Sequence, residues 1–409
     1  MLRTLGLALA ALLLVPQTLV AQQVGQQFDV RVADLPAPYA TASARNGPQT
    51  VPRPPGTTLN LPDGFSATLF AENLSHPREM AELPNGDILV SEPRAGVITL
   101  LRDADRDGVA EVAQTFVRDL IVPYGIDVQG YLVYVADGRG VWRFPYTLGD
   151  LRAASAPEQV TDLGVFGSGL GHWSRSLVFH PDGERFYVGV GSRGNIDVED
   201  LPRATIMEFT LANGAPAPGR IFASGLRNAI GVAFYPGSTD LFTVVNERDG
   251  MGDGLVPDFL TRVRDGGFYG WPYAYLGPNP QPGFAERAPD LVARTIEPDL
   301  LFMSHSAPID LVFYEGDMFP EDYRGDAFVS LRGSWNRSDP TGYIVVRVPM
   351  SNGVPDGDYE VFATGFRLDD GATRAQVWGR PTGLLATLDG ALLIADDTSG
   401  TIWRVTYDN

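Results

Sequence analysis

The chain has 409 residues and a formal net charge of −19, with no cysteine, and all 31 of its basic residues are arginine. This charge excludes nucleic acid and anionic membrane surfaces as partners. The lack of cysteine excludes disulfides, thiolate metal sites and covalent c-type haem, and the lack of lysine excludes Schiff-base chemistry. Chains this long usually divide into domains unless they are built from repeats.

The first 21 residues have the pattern of a signal peptide. Arg3 supplies the positive charge, residues 5–15 form a short apolar run, and small residues precede Gln22. The apolar run is too short to span a bilayer well, although an uncleaved anchor is the alternative. We therefore expect a cleaved signal peptide, a periplasmic or secreted protein, and no membrane span.

Residues 22–58 are rich in proline, glutamine and alanine and show little periodicity, which predicts an irregular N-terminal extension. From residue 59 to residue 409 a loose unit recurs, in which a strand, a Gly or Asp-Gly turn, a second strand, another turn and a third strand follow one another. Six copies begin near residues 80, 126, 177, 232, 311 and 384. Such repeats predict an all-β, six-bladed β-propeller.

Two further features refine this fold prediction. We expect the segment from Leu59 to Phe70 to supply the outer strand that closes the ring. The spacing between units grows over residues 249–306 and 333–380, which indicates insertions of the kind that often build a binding site.

The residues just before each inner strand of a propeller face the mouth of its central channel. Four of the six units place an arginine there, namely Arg78, Arg175, Arg227 and Arg380. Guanidinium groups suit carboxylate and phosphate oxygens. Arginines that recur at this position, which we call the mouth register, therefore predict an anionic ligand. The alternative is that these arginines form salt bridges between blades. His172 lies at the same register and is a candidate general base, and His305 is a second histidine near the mouth.

An acidic loop in the first unit is a separate candidate for metal binding. Asp103, Asp105 and Asp107 have the spacing of a calcium-binding loop. Position twelve of that loop is Gln114 instead of glutamate, and no helices flank it. The sequence leaves a structural calcium site and a solvated turn both open.

Five segments in the second half of the chain resemble a known family. They are Gly-Leu-Arg-Asn at 225–228, Asn-Glu-Arg-Asp-Gly at 246–250, Gly-Phe-Tyr-Gly-Trp-Pro at 267–272, Arg-Gly-Ser-Trp-Asn-Arg at 332–337 and Trp-Gly-Arg-Pro at 378–381. Together they are similar to the soluble sugar dehydrogenases that use pyrroloquinoline quinone (PQQ), in particular the glucose/sorbosone dehydrogenase branch. The resemblance runs in order over residues 60–409.

The resemblance implies a set of cofactor-binding residues. PQQ carries three carboxylates, which would account for an arginine-rich mouth. Arg227 and Asn228 would contact the quinone, with Arg227 also polarising the carbonyl that accepts hydride. Arg332 and Arg380 would pair with cofactor carboxylates, and Tyr124 lies near the position of a quinone-contacting glutamine of the glucose branch.

The resemblance also implies calcium and a reaction. A Ca²⁺ ion would bridge the quinone and the backbone carbonyls of Asp249 and Gly250. His172 would take the hydroxyl proton of a sugar or aldehyde substrate during oxidation of its CH–OH group. Since the chain carries no haem, electrons would pass to a separate acceptor, a cytochrome or a quinone. Glucose-specific members have an acidic residue where this chain has Gly171, which speaks against glucose.

Two other functions compete with this one. A calcium-dependent, lactonase-like hydrolase on the same fold would centre a metal in the channel on Asn, Asp and Glu side chains. A non-catalytic binding propeller would show an aromatic or apolar face without converging cations. The arginines at the mouth favour the dehydrogenase over both.

Overall fold

The computed structural model describes residues 22–169, 171–211, 216–368 and 372–408. Six antiparallel sheets form the blades of a propeller around one axis. Five have four strands and the fifth blade has a further strand from the N-terminal extension; in every blade but the last, the four main strands follow in chain order. The predicted six-bladed β-propeller is confirmed. The predicted signal peptide lies outside the described residues.

Blades one to three follow one another along the chain, and each runs from an inner strand at the channel to an outer strand. Their strands are Met80–Glu82, Ile88–Glu92, Val97–Arg102 and Val112–Val117 in blade one; Ile126–Gln129, Leu132–Ala136, Val141–Pro145 and Glu158–Gln159 in blade two; and Leu177–Phe179, Arg185–Val190, Thr205–Thr210 and Gly219–Ser224 in blade three.

Blades four to six contain the insertions and the ring closure. Their strands are Ala229–Phe234, Leu241–Val245, Phe259–Val263 and Leu300–Leu301 in blade four; Pro308–Phe313, Ala327–Leu331, Ile344–Val348 and Tyr359–Ala363 in blade five; and Pro381–Ala386, Leu392–Asp396, Thr401–Tyr407 and Phe65–Ala71 in blade six.

Several short strands and helices lie outside the four main strands of each blade. In the extension, Gln27–Phe28 adds a fifth strand to blade five and Gln49–Thr50 pairs in parallel with Gln376–Val377. The remaining short elements are the strand pairs Ala274–Tyr275 with Asn279–Pro280 and Met350–Ser351 with Val354–Pro355, the α-helix Pro289–Ala293, and the 3₁₀ helices Val32–Asp34, Ala285–Arg287 and Glu321–Tyr323.

The burial of each strand explains its sequence. Second strands such as Ile88–Glu92 and Leu392–Asp396 are buried along their whole length, because a neighbouring blade covers each face. They accordingly consist mostly of apolar residues, as strands covered on both faces do. The outer strand Phe65–Ala71 instead alternates between partly buried and exposed positions over its first five residues, the period-two pattern of a strand with one solvated face.

The ring is closed by the strand nearest the start of the propeller. Phe65–Ala71 pairs antiparallel with Thr401–Tyr407, the last strand of the chain, which confirms the predicted closing strand. The Leu74 N–H then donates to the Gly400 carbonyl at 3.0 Å. The closure therefore brings the first and last loops of the propeller together at one end of the channel.

The channel below this end is filled by side chains. Tyr124, Ile230 and Ile309 form a buried cluster on the axis side of blades two, four and five. Asp127 accepts a hydrogen bond from the Phe179 N–H at 2.7 Å and so ties blade two to blade three. Burial raises the pKa of Asp127 to about 6. A ligand that enters the channel from this end therefore meets buried side chains.

No helix in the described ranges is both long and apolar enough to cross a membrane.

Replacing Phe65 by alanine tests the ring closure. Its ring packs against Phe319 at 4.8 Å, Phe362 at 5.1 Å and Tyr407 at 4.8 Å between centroids, so it joins the closing strand to blade five. We expect Phe65→Ala to lower the free energy of unfolding by about 3 kcal/mol, measured by urea denaturation. Tyr131→Ala, at a position 68% exposed, is the matched control and should change it by less than about 0.5 kcal/mol. Equal effects of both substitutions would contradict this role.

Candidate functional site

The mouth of the channel is built by two kinds of loop. One kind leads from the outer strand of a blade to the next inner strand, and the other joins second and third strands. They place two groups of polar side chains at the mouth. We call Arg78, Arg332, Arg380 and Asp397 the arginine cluster, and His172, Asn195, Arg227, Asn228 and Asp249 the turn cluster.

The arginine cluster is organised around one buried carboxylate. Asp397 accepts hydrogen bonds from Arg332 Nε at 2.8 Å and Nη2 at 3.1 Å, and it makes a close ion pair with Arg78. Burial alone would raise the pKa of Asp397, but the two guanidinium groups outweigh it and hold that pKa well below its usual range. Asp397 was not among the residues predicted from the sequence.

His76 completes this cluster and was also missed. Its backbone lies in the left-handed region at φ 65°, a conformation that persists where surrounding contacts impose it. Its Nδ1–H donates to the Asp397 carbonyl at 3.0 Å, and its Nε2 accepts from Arg78 Nη2 at 3.0 Å. The pKa of His76 is lowered to about 4, mainly by burial. Asp397 opposes this shift, and Arg78 contributes to it. The histidine is therefore neutral at ordinary pH.

Arg380 brings a third guanidinium group to the cluster, and its hydrogen-bond partners are carbonyls. Its Nε donates to the Arg332 carbonyl at 3.0 Å and its Nη2 to the Gly333 carbonyl at 2.6 Å. Burial lowers the pKa of Arg380 to about 10, as does the nearby Arg332. Three guanidinium groups thus belong to a cluster with the single carboxylate of Asp397, which only Arg78 and Arg332 bind. This excess of positive charge favours a ligand with carboxylates.

An aromatic layer lies beside Arg78. The Arg78 guanidinium is 5.1 Å from the centre of the Trp173 ring, which in turn contacts the Tyr124 ring edge-on at 5.5 Å. Trp173 is partly exposed, whereas Tyr124 has no exposed surface. Tyr124 thus lies beneath the aromatic layer instead of lining the open mouth, and its contact with a cofactor stays a prediction.

His172 is oriented by a hydrogen bond from its inner nitrogen. Its Nδ1 lies 2.8 Å from the Ser192 carbonyl oxygen, so Nδ1 carries the proton and Nε2 keeps its lone pair. The pKa of His172 is lowered to about 3, mainly by burial and secondly by the positive charge of Arg227. The side chain is partly exposed at the mouth. This geometry gives a neutral imidazole that can accept a proton at Nε2.

Gly191 brings this histidine and Asn228 together. A Cβ at Gly191 would lie 2.4 Å from Asn228 Oδ1 and 2.6 Å from His172 Cβ. Only the missing side chain lets both residues pack over this backbone. The two predicted site residues are therefore neighbours.

Arg227 is held rigidly by backbone and side-chain oxygens. Its Nε and Nη2 donate to the carbonyl and side-chain oxygens of Asn195 at 3.0 and 3.1 Å, and its Nη1 donates to the Asn246 carbonyl at 3.1 Å. Its Nη2 is 3.6 Å from the Asp249 carboxylate. Each Nη still has one N–H group for a ligand. Asn195, which orients Arg227, was not predicted.

The other register residues take supporting positions. Arg175 donates to the carbonyls of His172 at 2.8 Å and Ser174 at 2.5 Å and so braces the histidine loop. Burial lowers the pKa of Arg175 to about 9. His305 is buried, with Nε2 bound to the Gly252 carbonyl at 3.0 Å and Nδ1 3.1 Å from Asn336 Nδ2. Of the four arginines that precede inner strands, Arg78 makes a salt bridge between blades and Arg227 makes a longer one of 3.6 Å to Asp249 in its own blade. Arg175 and Arg380 bind carbonyls instead.

The acidic loop lies at the other end of the propeller, between the third and fourth strands of blade one. Ligand oxygens of Asp103, Asp105, Asp107 and Glu111 all lie within 4.8 Å of one another, and Glu111 was not predicted. The Asp107 N–H lowers the pKa of Asp105, but the charges of Asp107, Glu111 and Asp103 outweigh it and raise that pKa. A cation would relieve this repulsion.

A groove of about 780 Å³ borders this acidic loop between blades one and six. Four of its charged side chains form two pairs, since Arg102 binds Asp87 at 2.7 Å and Arg404 binds Asp389 at 2.6 Å. Paired surface charges carry no evident chemistry, so the mouth remains the candidate site.

The mouth residues fit PQQ on the evidence of their unsatisfied polar atoms. Arg78 Nε and Asn228 Oδ1 are buried beside the mouth and have no hydrogen-bond partner among the described residues. Such atoms are rare unless a ligand or water satisfies them. The unsatisfied Arg78 Nε–H and the excess of guanidinium groups match a polyanionic molecule, whereas Asn228 Oδ1 requires a donor or a cation.

The chain belongs to the TrAA12-like family, whose model matches residues 59–256 and 290–408. The predicted relationship to PQQ-dependent sugar dehydrogenases is thereby confirmed at the level of the family.

Individual relatives agree with this assignment. The chain is 27% identical over 411 aligned residues to a PQQ-dependent pyranose dehydrogenase of Coprinopsis cinerea, covering 86% of this chain and 55% of that protein. It thus spans about half the length of that relative. Its fold is similar to the holo form of the PQQ domain of the C. cinerea pyranose dehydrogenase, with a TM-score of 0.72, 23% identity and coverage of 88% and 100%. A calcium structure of a Trichoderma reesei family AA12 enzyme has a TM-score of 0.72, 20% identity and the same coverage.

The protonation of His172 can be tested by NMR of histidine-labelled, cofactor-free protein. Because its folded pKa is about 3, we expect the His172 ring to stay neutral down to about pH 4, whereas the urea-unfolded chain should titrate near pH 6.5. The unfolded state then binds more protons between these values, so His172 contributes stability above pH 6.5 that is lost on acidification. His172→Asn assigns the resonance. A folded-state midpoint near 6.5 would contradict the described environment.

Proposed function

We propose that this protein oxidises a CH–OH group of a sugar or sugar aldehyde with PQQ as its cofactor. The observation that carries the proposal is the excess of guanidinium groups around Asp397 beside a neutral histidine with a free Nε2. The PQQ-dependent pyranose dehydrogenase among its relatives supports it.

The arginine cluster would hold the cofactor carboxylates. Arg332 and Arg380 are partly exposed at the mouth, and Arg78 lies just beneath them against Trp173. Arg227 and Asn228 would contact the quinone from the turn cluster. Bound PQQ would supply a two-electron acceptor for hydride, which none of the protein's own side chains provides.

His172 would act as the general base. Its Nε2 accepts the proton of the substrate hydroxyl while its Nδ1–H stays on the Ser192 carbonyl. The hydrogen bond to Ser192 favours the charge that forms on the ring, whereas burial and Arg227 oppose it. Arg227, fixed by Asn195, would keep its remaining N–H groups directed to the developing negative charge.

We propose a sorbosone-type instead of a glucose-type specificity. Gly171, next to His172, has φ 48°, and a Cβ there would lie 2.4 Å from Arg193 Cα. An acidic side chain before the base, as in the glucose branch, therefore does not fit this backbone. The substrate hydroxyl would therefore approach His172 with no carboxylate from position 171 beside it.

Calcium, the electron acceptor and the location complete the proposal. We place a structural Ca²⁺ in the loop of Asp103, Asp105, Asp107 and Glu111, where the carboxylates repel one another, and one solved relative is a calcium structure. Electrons would leave to a separate cytochrome or quinone. Export by a cleaved signal peptide would place the enzyme in the periplasm or outside the cell.

The competing functions receive less support. A lactonase-like hydrolase needs a metal centred in the channel, yet among the residues that the structure describes the acidic loop is the one group of three or more close carboxylate or imidazole ligands. A non-catalytic module would not need converging cations beside an oriented histidine.

Reconstitution tests the proposed activity. Purified protein loaded with PQQ should reduce an artificial dye with a panel of aldoses and sugar aldehydes. His172→Asn should keep PQQ binding, followed by absorbance, and lower kcat by about 100-fold or more, the size expected for losing a general base. Asn352→Ala, at the bottom of blade five, is the matched control. If PQQ fails to bind the wild-type protein, the proposed function is wrong.

Export gives a second test. Expression of the full chain in a Gram-negative host should yield protein whose intact mass corresponds to cleavage before Gln22, recovered from the periplasm or medium. Arg3→Glu should reduce export, because it removes the positive charge at the start of the signal. Full-length protein in the membrane fraction would support the uncleaved anchor instead.

A further inference from the structure

The turn at residues 248–250 is where the family resemblance places a Ca²⁺ ion, on the carbonyls of Asp249 and Gly250. Calcium takes six to eight oxygen ligands. The Asp249 carbonyl, however, already accepts from Asn195 Nδ2 at 2.9 Å and from Arg248 Nε at 3.0 Å. A carbonyl oxygen has two lone pairs, so this oxygen has none left for a metal.

The neighbouring oxygens are occupied in the same way. Asn195 Oδ1 accepts from Arg227 Nη2 at 3.1 Å and from the Asp249 N–H at 2.8 Å. The Asp249 carboxylate makes a close hydrogen bond with Asn336 Nδ2 and lies 3.6 Å from Arg227 Nη2. The groups that face this turn are mainly N–H donors, whereas calcium requires acceptors.

Some acceptors remain, but they are few. Glu247 Oε1 and Asn228 Oδ1 are buried without a partner in the described part of the chain. With the Gly250 carbonyl they supply three protein oxygens, and the remaining Asp249 Oδ2 lies 3.6 Å from the Arg227 guanidinium. Most of a shell of six to eight oxygens would therefore have to come from the cofactor and from water. A calcium ion on the Asp249 carbonyl would also share that oxygen with the Arg248 guanidinium, a cation 3.0 Å away.

We propose that the quinone binds at this turn without calcium, because the Arg248 guanidinium occupies the position on the Asp249 carbonyl that the ion would take. Arg248 and Arg227 then supply the positive charge next to the cofactor. Arg248 is 7% exposed and cannot easily leave its carbonyl. The hydrogen bonds from Asn195 shape the turn in advance, so no metal is needed to fold it.

This inference rests on the proposed use of PQQ, and a binding titration separates the two. Protein stripped with EDTA and exchanged into metal-free buffer is titrated with PQQ, following quenching of tryptophan fluorescence, in 1 mM EGTA and in 1 mM CaCl₂. We expect dissociation constants within about threefold of each other. Binding that requires calcium, or that tightens tenfold or more with it, would overturn the inference and leave the proposed function intact. Absence of binding in both buffers would overturn the proposed function.

The variant Arg248→Met tests the residue itself. It removes the charge and the donor while keeping much of the volume, so we expect PQQ binding in EGTA to weaken at least tenfold and to recover partly with calcium. Arg287→Met, in an outer 3₁₀ helix, is the matched control and should bind as the wild type does. Wild-type affinity of Arg248→Met in EGTA would contradict the role of Arg248.

Metal analysis gives an answer that does not depend on the folding of that variant. Asp105→Asn weakens the acidic loop, so calcium bound elsewhere can be counted. After loading with PQQ in calcium buffer and gel filtration, we expect less than about 0.2 Ca²⁺ per chain. One calcium per bound PQQ in this protein would overturn the inference.

Discussion

The carboxylate of Asp397 is the contact on which the mouth of this propeller depends. It lies in blade six and binds Arg78, which precedes blade one, and Arg332, which follows a strand of blade five. Its side chain is fully buried, and a buried charge of this kind is tolerated only when its partners stay in place. Ring closure brings these groups together, because the strand Phe65–Ala71 ties the start of the propeller to its end. The fold and the site are therefore linked through one junction.

The same junction creates the electrostatic character of the site. The carboxylate of Asp397 binds the guanidinium groups of Arg78 and Arg332, whereas Arg380 donates its hydrogen bonds to carbonyls among the described residues. A protein with a net charge of −19 thus keeps a positive mouth. The histidines there are neutral because burial and neighbouring arginines lower their pKa. Anion binding and proton acceptance can then occur side by side without competing for charge.

If the quinone binds without a metal, as proposed, the turn cluster and the acidic loop differ in how they handle charge. A metal ion provides charge and orders the backbone around it, but an arginine does both where its guanidinium binds the carbonyl that the ion would use. Arg248 has this position on Asp249, and Asn195 orders the same turn from the next blade. The acidic loop in blade one is the opposite case, since its carboxylates repel one another.

Local chemistry let the sequence determine much of this protein. Apolar strands with Gly turns specified six blades and the closing strand, and the register before each inner strand identified Arg78, Arg227, Arg380 and His172. Asp397 carried a weak signal, because the capping of its turn is done by its neighbour. Asp396 accepts from the Thr398 N–H at 2.8 Å, as Asp137 accepts from the Arg139 N–H in blade two.

The tertiary structure alone decided the rest. His76 and Asp397 are 321 positions apart, and only ring closure makes them neighbours. Tyr124 shares the mouth register yet lies beneath Trp173, because the packing of neighbouring blades sets its depth. The occupation of the Asp249 carbonyl depends on Asn195 from another blade. Such contacts between loops follow from how the blades pack, which a local pattern does not encode.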